Sequence, residues 1–472
     1  MIQCDCFAAK HRHAEIRSAL PFLRQAPSLA RMASDHIYKN VSNYQVLQRN
    51  SRGYAGVIPS GGKRVQYLAT GGPHRVGDRF PVYVGDVWVM AGQSNMRGHA
   101  YYNDPFTLEA FEDEILKDTM LFTSEETWKP LSEPSHSLHL SPRSVHHQLP
   151  DPTVRDPNLL KFRGYSLATT FALEYRKLND NVPVGLIACA HGGVTMDKWA
   201  PVSMGTEDDG ATLYGAMISR LRGLEGRFAG ILWYQGESDA VEYGQTITRR
   251  RKQLKHKYKD QLLRFIDAVR QEFQLSTLPF AMVQLARHID DEDSDEGWQI
   301  IRAQQQQMMS DRIAVVASID CQMDDRIHLS AFGLSTVGVR LARAATNAKL
   351  GVGTKTSPII RSVQAITLQD SATQSTMLSL LILFDNVSDW GYREEVHGFS
   401  LRDSDGLIHD VIYSARIEQK TRVRLYLKPQ LLQDQRRHDL SLYYGYGKNP
   451  ICNLVTVKGM ALLASGPYYK GG

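Results

Sequence analysis

Between residues 85 and 350 the chain alternates short, unbroken apolar runs with longer amphipathic stretches, a rhythm that limits the fold more than any other feature. The runs are VWVMA (87–91), VPVGLIACA (182–190), FAGILWYQ (228–235), PFAMVQLA (279–286) and IAVVASID (313–320). Between them lie YSLATTFALEYRKL, ATLYGAMISRLRGL, a long stretch through residues 246–273 and GWQIIRAQQQQMMS, all with helical spacing. A strand with no polar alternation offers no face to water, so helices must cover both sides of its sheet. The expectation is an α/β protein: a three-layer α/β/α sandwich around a parallel sheet of about five strands, spanning residues 85–350.

The flanks follow other rules. Residues 1–35 show no clear periodicity and read as an N-terminal tail. In residues 36–84, β-prone pieces such as YQVLQ and RFPVYV are punctuated by Gly, Pro and Ser, which predicts a small antiparallel β-unit. After residue 350 the segments TMLSLLILFDNV, HGFSLRD, HDVIYSARI, TRVRLYLK and HDLSLYYGYG alternate and are separated by turn residues. Residues 351–472 are therefore expected to form a separate C-terminal β-sandwich, jelly-roll-like domain.

Charge and cysteine content exclude several functions. With 55 basic against 50 acidic residues the net charge is only +5, which does not point to nucleic acid. In the basic stretch TRRRKQLKHKYKDQLLRFIDAVRQEF, the residues Leu254, Tyr258, Leu262, Phe265, Val269 and Phe273 recur every three or four positions. One helix face packs, and the lysines and arginines form the wet face. The acidic run DDEDSDE (290–296) lacks the glycine and spacing of a calcium loop. Cys4, Cys6, Cys189, Cys321 and Cys452 are scattered and odd in number, which argues against a disulfide framework. The pair Cys4 and Cys6 has no second Cys/His pair at ligand spacing, so no metal site is expected. No run approaches the roughly 20 apolar residues of a membrane span, and the opening MIQCDCFAAKHRHAEIRSALPFLRQ lacks the apolar core of an export signal. A soluble, unexported chain without membrane association is the expectation.

Open α/β sheets bind ligands at the carboxyl ends of their strands. Here those ends carry GQSNM (92–96), HGG (191–193), QGESD (235–239) and CQMDDRIHLS (321–330). A serine hydroxyl becomes a nucleophile only when a base takes its proton. Ser94 is the candidate nucleophile and His328 the candidate base. Asp325, three residues before His328, is placed to accept from the imidazole, fix its tautomer and stabilise its cation. Met96 stands where the GxSxG elbow has its second glycine, so the turn is not that of the α/β-hydrolase fold. The oxyanion donors available are the NH of Ser94, the NH of Gly192 or Gly193, and the Gln235 carboxamide. Gln93, Asn95 and Glu237, on the same turns, are expected to contact substrate. Each block alone has a plain structural reading as a helix cap or turn. Their convergence on one rim favours acyl transfer.

The blocks GQSNM, CAHGGVTMDKW (189–199), GILWYQGESD (230–239) and DRIHLS (325–330) resemble those of the SGNH-hydrolase superfamily, in its sialate O-acetylesterase and acetylxylan-esterase-like branch. The likeness covers most of residues 40–472. It implies the SGNH-type α/β/α sandwich, with Ser94 as nucleophile, Asp325 and His328 as partners, and Gly192 and Gln235 as oxyanion donors beside the Ser94 amide. It also implies hydrolysis of O-acetyl esters on a sugar or glycan, without metal or cofactor. The third block carries Gln235 and Glu237 in place of the superfamily's GxND, and the N-terminal β-unit is shorter than usual in sialate esterases. The polar, proline- and histidine-rich segment 123–163 is expected to border the site. Its histidines His136, His139, His146 and His147 are rivals to His328 but lack an Asp three residues earlier in a tight turn. Two other readings are a lipase- or thioesterase-like enzyme and a carbohydrate-binding protein with an idle esterase scaffold.

Overall fold

The computed structural model describes residues 36–102, 116–201, 211–290, 294–369, 376–391, 395–403, 408–429 and 440–468, the side chains of 246–256 and 408–409 excepted. The tail 1–35, Cys4 and Cys6, the side chain of Leu254 and part of the acidic run lie outside the described residues. The central sheet contains β1 (Arg79–Gly92), β2 (Thr119–Phe122), β3 (Trp128–Pro130), β4 (Val184–Ala188), β5 (Gly230–Tyr234), β6 (Phe280–Gln284) and β7 (Ile313–Ala317), in the order β7-β6-β5-β1-β4-β2-β3. The pairs within β7-β6-β5-β1-β4-β2 are parallel. The five expected strands are present, but the sheet is larger than expected. β2 extends it, β3 closes that edge antiparallel, and strands Val46–Gln48 and Gly71–Val76 pair onto β1 to make nine.

Strand register places the two helical layers. Trp88 of β1 pairs with Leu186 and Gly230, so these residues share one face. On that face Trp88 meets Phe171 and Tyr175 of helix Ala168–Leu178 edge-on, at 6.1 and 5.5 Å between ring centroids. Trp233 and Phe280 have the opposite parity. They meet Phe265 of helix Glu237–Glu272 at 5.0 and 6.2 Å. Helices therefore cover both faces, as the unbroken apolar strands require. Tyr258, Leu262, Phe265 and Val269 are fully buried, which is the packing face expected for the long helix.

Helix Ala331–Leu350 has no clear signal in the sequence, because its glycines and hydroxyl residues mask the helical pattern. It starts at Ser330, whose hydroxyl accepts from Gly333 N, and ends at Gly351 in the left-handed region. A Cβ on Gly338 would lie 2.7 Å from Leu167 O and 2.9 Å from Phe171 N. That glycine lets the helix cross Ala168–Leu178 in close contact.

The expected boundary at residues 84 and 85 falls within β1. Tyr83 and Val84 pair with N-terminal strands, and Asp86 to Met90 pair with β4. Asp86 is fully buried at this junction. It accepts from Arg49, Tyr175 and Lys349 at 2.6–3.0 Å, pairing a charge that burial alone would make costly.

All the C-terminal segments singled out contain strands, in two antiparallel sheets of four and three strands. They do not form a separate body: residues 37–472 make one compact unit with a core running continuously from β1 to Leu380, Leu401 and Leu442. Gln284 of β6 exchanges two hydrogen bonds with the backbone of Ala464, at 2.8 and 2.9 Å. No helix among the described residues is long and apolar enough to cross a membrane.

Candidate active site

β1 ends at Gly92, whose φ of 138° is open to glycine, and a Cβ there would lie 2.1 Å from Tyr234 O. The chain then turns into the single-turn helix Ser94–Arg97, with Ser94 at its first position. Gln93 N donates to Tyr234 O (2.8 Å) and His191 N donates to Gly92 O (3.1 Å), so three strand ends are stitched together here. The loop after β7 supplies the fourth group.

Ser94 Oγ lies 3.0 Å from His328 Nε2, and His328 Nδ1 lies 2.9 and 3.0 Å from the two Asp325 oxygens. A carboxylate only accepts, so Nδ1 carries the proton, and the bare Nε2 accepts from the serine hydroxyl. Asp325 Oδ1 also accepts from the amides of Ile327 (2.9 Å) and His328 (2.8 Å), which fixes its plane. Burial pushes the Asp325 carboxyl up. The hydrogen bond and charge of His328, the Arg163 guanidinium and the Ile327 amide outweigh it and hold Asp325 far below the usual carboxylate range. Burial is also the largest influence on His328 and lowers it. Asp325 pulls it up, Arg163 and Arg97 push it down, and the net position is below 6.5.

The Ser94 and Gly192 amides have no acceptor among the described residues. Gly192 is buried and Gly193 is exposed. A Cβ on Gly192 would meet Asp151 Oδ2 at 2.7 Å.

The remaining expectations need correction. Gln235 is fully buried, and its amide nitrogen donates to Val194 O (2.9 Å) and Asp239 Oδ2 (2.5 Å). Both N–H bonds are occupied, so this arrangement leaves none for an oxyanion. Gln93, Asn95 and Glu237 are each at most 2% exposed and turn inward, away from the role of contacting substrate. Gln93 Oε1 accepts from Gly236 N (3.2 Å) at the start of the long helix. Asn95 donates to Glu237 Oε1 (2.7 Å) and Ile327 O (3.2 Å) and accepts from Leu329 N (3.1 Å). Neutral, fork-shaped amides suit such bridging because they donate and accept at once.

Segment 123–163 borders the site, as expected, and it contributes residues that sequence reasoning missed. Arg163 Nη2 donates to Asp325 Oδ2 (2.6 Å). Arg97, buried, donates to Thr153 Oγ1 (2.7 Å) and His99 Nδ1 (2.7 Å) and lies 3.5 Å from Asp151. The only sequence signal among them is Asp151 before Pro152, an N-cap that accepts from Thr153 N. The rival histidines are engaged elsewhere: His136 with Ala190 N and Ser135, His146 with His191, and His147 with Ser141 O. His139 has no hydrogen bond to Ser94. Ligating atoms of His99, Asp325 and His328 lie within 4.8 Å of one another. His99 Nδ1 is taken by Arg97, and the two His328 nitrogens by Asp325 and Ser94; the guanidinium groups of Arg97 and Arg163 stand alongside, a setting that disfavours a cation.

Residues 84–347 match the family model described as carbohydrate esterase, sialic acid-specific acetylesterase. This chain belongs to that family. Membership brings with it O-acetyl ester hydrolysis on carbohydrates as the family's chemistry. A probable carbohydrate esterase of Arabidopsis thaliana is 24% identical over 279 residues, covering 56% of this chain and 91% of the relative. The crystal structure of a carbohydrate acetylesterase from Xanthomonas citri superposes with a TM-score of 0.60 at 22% identity, covering 90% of this chain and 97% of that one. The likeness to the Xanthomonas protein is one of fold.

Proposed function

We propose that the chain is a serine-dependent carbohydrate O-acetylesterase that works through an acetyl-enzyme on Ser94. The observation that carries this reading is the unbroken hydrogen-bond chain from Ser94 Oγ through His328 to Asp325, at 3.0 and 2.9 Å. In acylation His328 Nε2 takes the Ser94 proton as Oγ attacks the acetyl carbonyl. The ring then gives that proton to the departing sugar oxygen. In deacylation a water takes the place of the serine hydroxyl, and acetate leaves. The Ser94 and Gly192 amides serve the developing oxyanion, a role worth about 3–4 kcal/mol per donor in other enzymes. Asp325 stays ionised throughout and stabilises the imidazolium. Each proton has a protein group to carry it, so the proposed steps require no metal or cofactor.

The test is release of the free acid from O-acetylated sialic acids, xylo-oligosaccharides and simple acetylated sugars, and from the propionyl and butyryl esters of the same sugars, with Ser94→Ala as control. Wild-type release that falls steeply as the acyl chain lengthens, with none above background from Ser94→Ala, supports the reading. Equal activity in the two proteins, or a preference for long acyl chains, sinks it.

A further inference from the structure

We propose that Arg163 is a positioning residue of the triad: it holds the Asp325 carboxylate in place and tempers the base strength of His328. The inference rests on His328 being the base. Arg163 begins the short strand Arg163–Tyr165, which pairs antiparallel with Ala100–Tyr101 just after the nucleophile turn. Its guanidinium is held by three groups. Nη2 donates to Asp325 Oδ2 (2.6 Å), Nε donates to His99 O (2.8 Å), and the plane lies 4.3 Å from the Tyr101 ring centroid. Such a fork fixes direction as well as charge. Asp325 Oδ1 is already held by the Ile327 and His328 amides, so Arg163 completes the clamp on the other oxygen.

The charged groups facing His328 come from several elements. Burial lowers His328 most, Asp325 favours its protonation, and Arg163 and Arg97 oppose it. The His99 ring lies 4.1 Å from the His328 ring, centroid to centroid, and stays neutral: the Arg97 guanidinium can only donate, so His99 Nδ1 is bare and accepts from it, and the ring is held far below 6.5, first by burial. Two other ions of the loop have partners of their own. Asp324 accepts from Tyr101 N (2.9 Å), and Arg326 pairs with Asp290 (2.9 Å). Removing Arg163 deletes one of two opposing cations, and His328 then protonates at higher pH. The carboxylate also loses one wall of its seat.

The experiment is the pH profile of kcat/KM with p-nitrophenyl acetate for wild type, Arg163→Gln and Arg163→Lys, each checked by thermal unfolding. In Arg163→Gln the acid limb moves up by roughly 0.5–1 pH unit, the size of one charge a few ångströms away in a partly solvated site. Its kcat falls about tenfold or more with little change in KM, as misplacement of a triad member produces. Arg163→Lys keeps the wild-type limb because it keeps the charge, and loses kcat because it loses the fork. A wild-type limb and turnover in Arg163→Gln overturn the proposal. If that variant does not fold, full kcat in Arg163→Lys overturns it. Failure of the underlying triad is distinguishable, since wild type and Ser94→Ala would then turn over p-nitrophenyl acetate equally.

Discussion

Asn95 Nδ2 donates a 2.7 Å hydrogen bond to Glu237 Oε1, joining the residue after the nucleophile to the start of the longest helix. The same amide holds Ile327 O and Leu329 N on either side of His328. Asn95 thus ties the turn that carries Ser94 to the third block and to the loop that carries His328. Asn95→Ala should lower kcat by about tenfold or more through displacement of His328, with KM little changed. Normal kcat in a folded Asn95→Ala protein contradicts this role.

Glu237 carries a pH signature. Burial raises its carboxyl from 4.5 to about 7. The native state keeps this proton after the unfolded chain has released it, so stability from this group falls as pH rises from about 4.5 to about 7. Glu237→Gln removes that dependence. Relative to wild type, the variant should be more stable at pH 8 than at pH 5 by an amount on the order of 1–3 kcal/mol. Denaturant titrations at the two pH values measure it, and a constant offset between the proteins rejects it.

The acid limb of wild-type kcat/KM should fall below pH 6.5, because His328 is the proposed base and its surroundings hold it below that value. Asp325 adds no limb near neutrality, since it stays ionised far below the usual range. Steady-state rates from pH 4 to 8 decide this, and a limb centred above 6.5 contradicts it.

Asp325→Asn should reduce kcat by about 10³–10⁴-fold, following the serine-protease precedent in which the wrong imidazole tautomer is favoured. It also removes the negative charge that faces Arg163 Nη2, while Arg163 Nε keeps His99 O. A loss of less than tenfold would transfer the role to another acid.

Gln235→Ala should lower turnover and melting temperature together. Its amide holds Val194 O, two residues after Gly192, and the carboxylate of Asp239. Truncation removes the donor to the buried Val194 O, a loss of about 1–3 kcal/mol, and leaves Asp239 with the Met196 amide (3.1 and 3.2 Å) in place of two donors. A large fall in turnover at unchanged melting temperature would instead return Gln235 to the oxyanion site.

The proposed trio is legible because Ser94 follows directly on one strand and Asp325 and His328 lie on the loop after another, and strands can be read from local periodicity. Asp325 and His328 add a short-range signal, three residues apart in one turn. The long helix was legible from the spacing of Tyr258, Leu262, Phe265 and Val269, all of which prove buried. Helix Ala331–Leu350 was not, because Gly338 is present for contact with a neighbouring helix, and such contact leaves no periodic trace.

Sequence by itself determined the layers, the order of the strands along the chain and the rim to which Ser94, Gly192, Asp325 and His328 belong. These follow from which side chains must avoid water, a property that repeats every two or 3.6 residues. Only the tertiary structure decided the partners of the polar groups at that rim. Gln235 could face an oxyanion or Val194 and Asp239, and Asn95 could face substrate or Glu237. Arg163 reaches Asp325 across 162 positions of sequence. Hydrogen bonds are short and directional, so a rotation about one or two side-chain bonds exchanges one partner for another. Residue identity constrains which bonds can form, and the packed neighbours select among them.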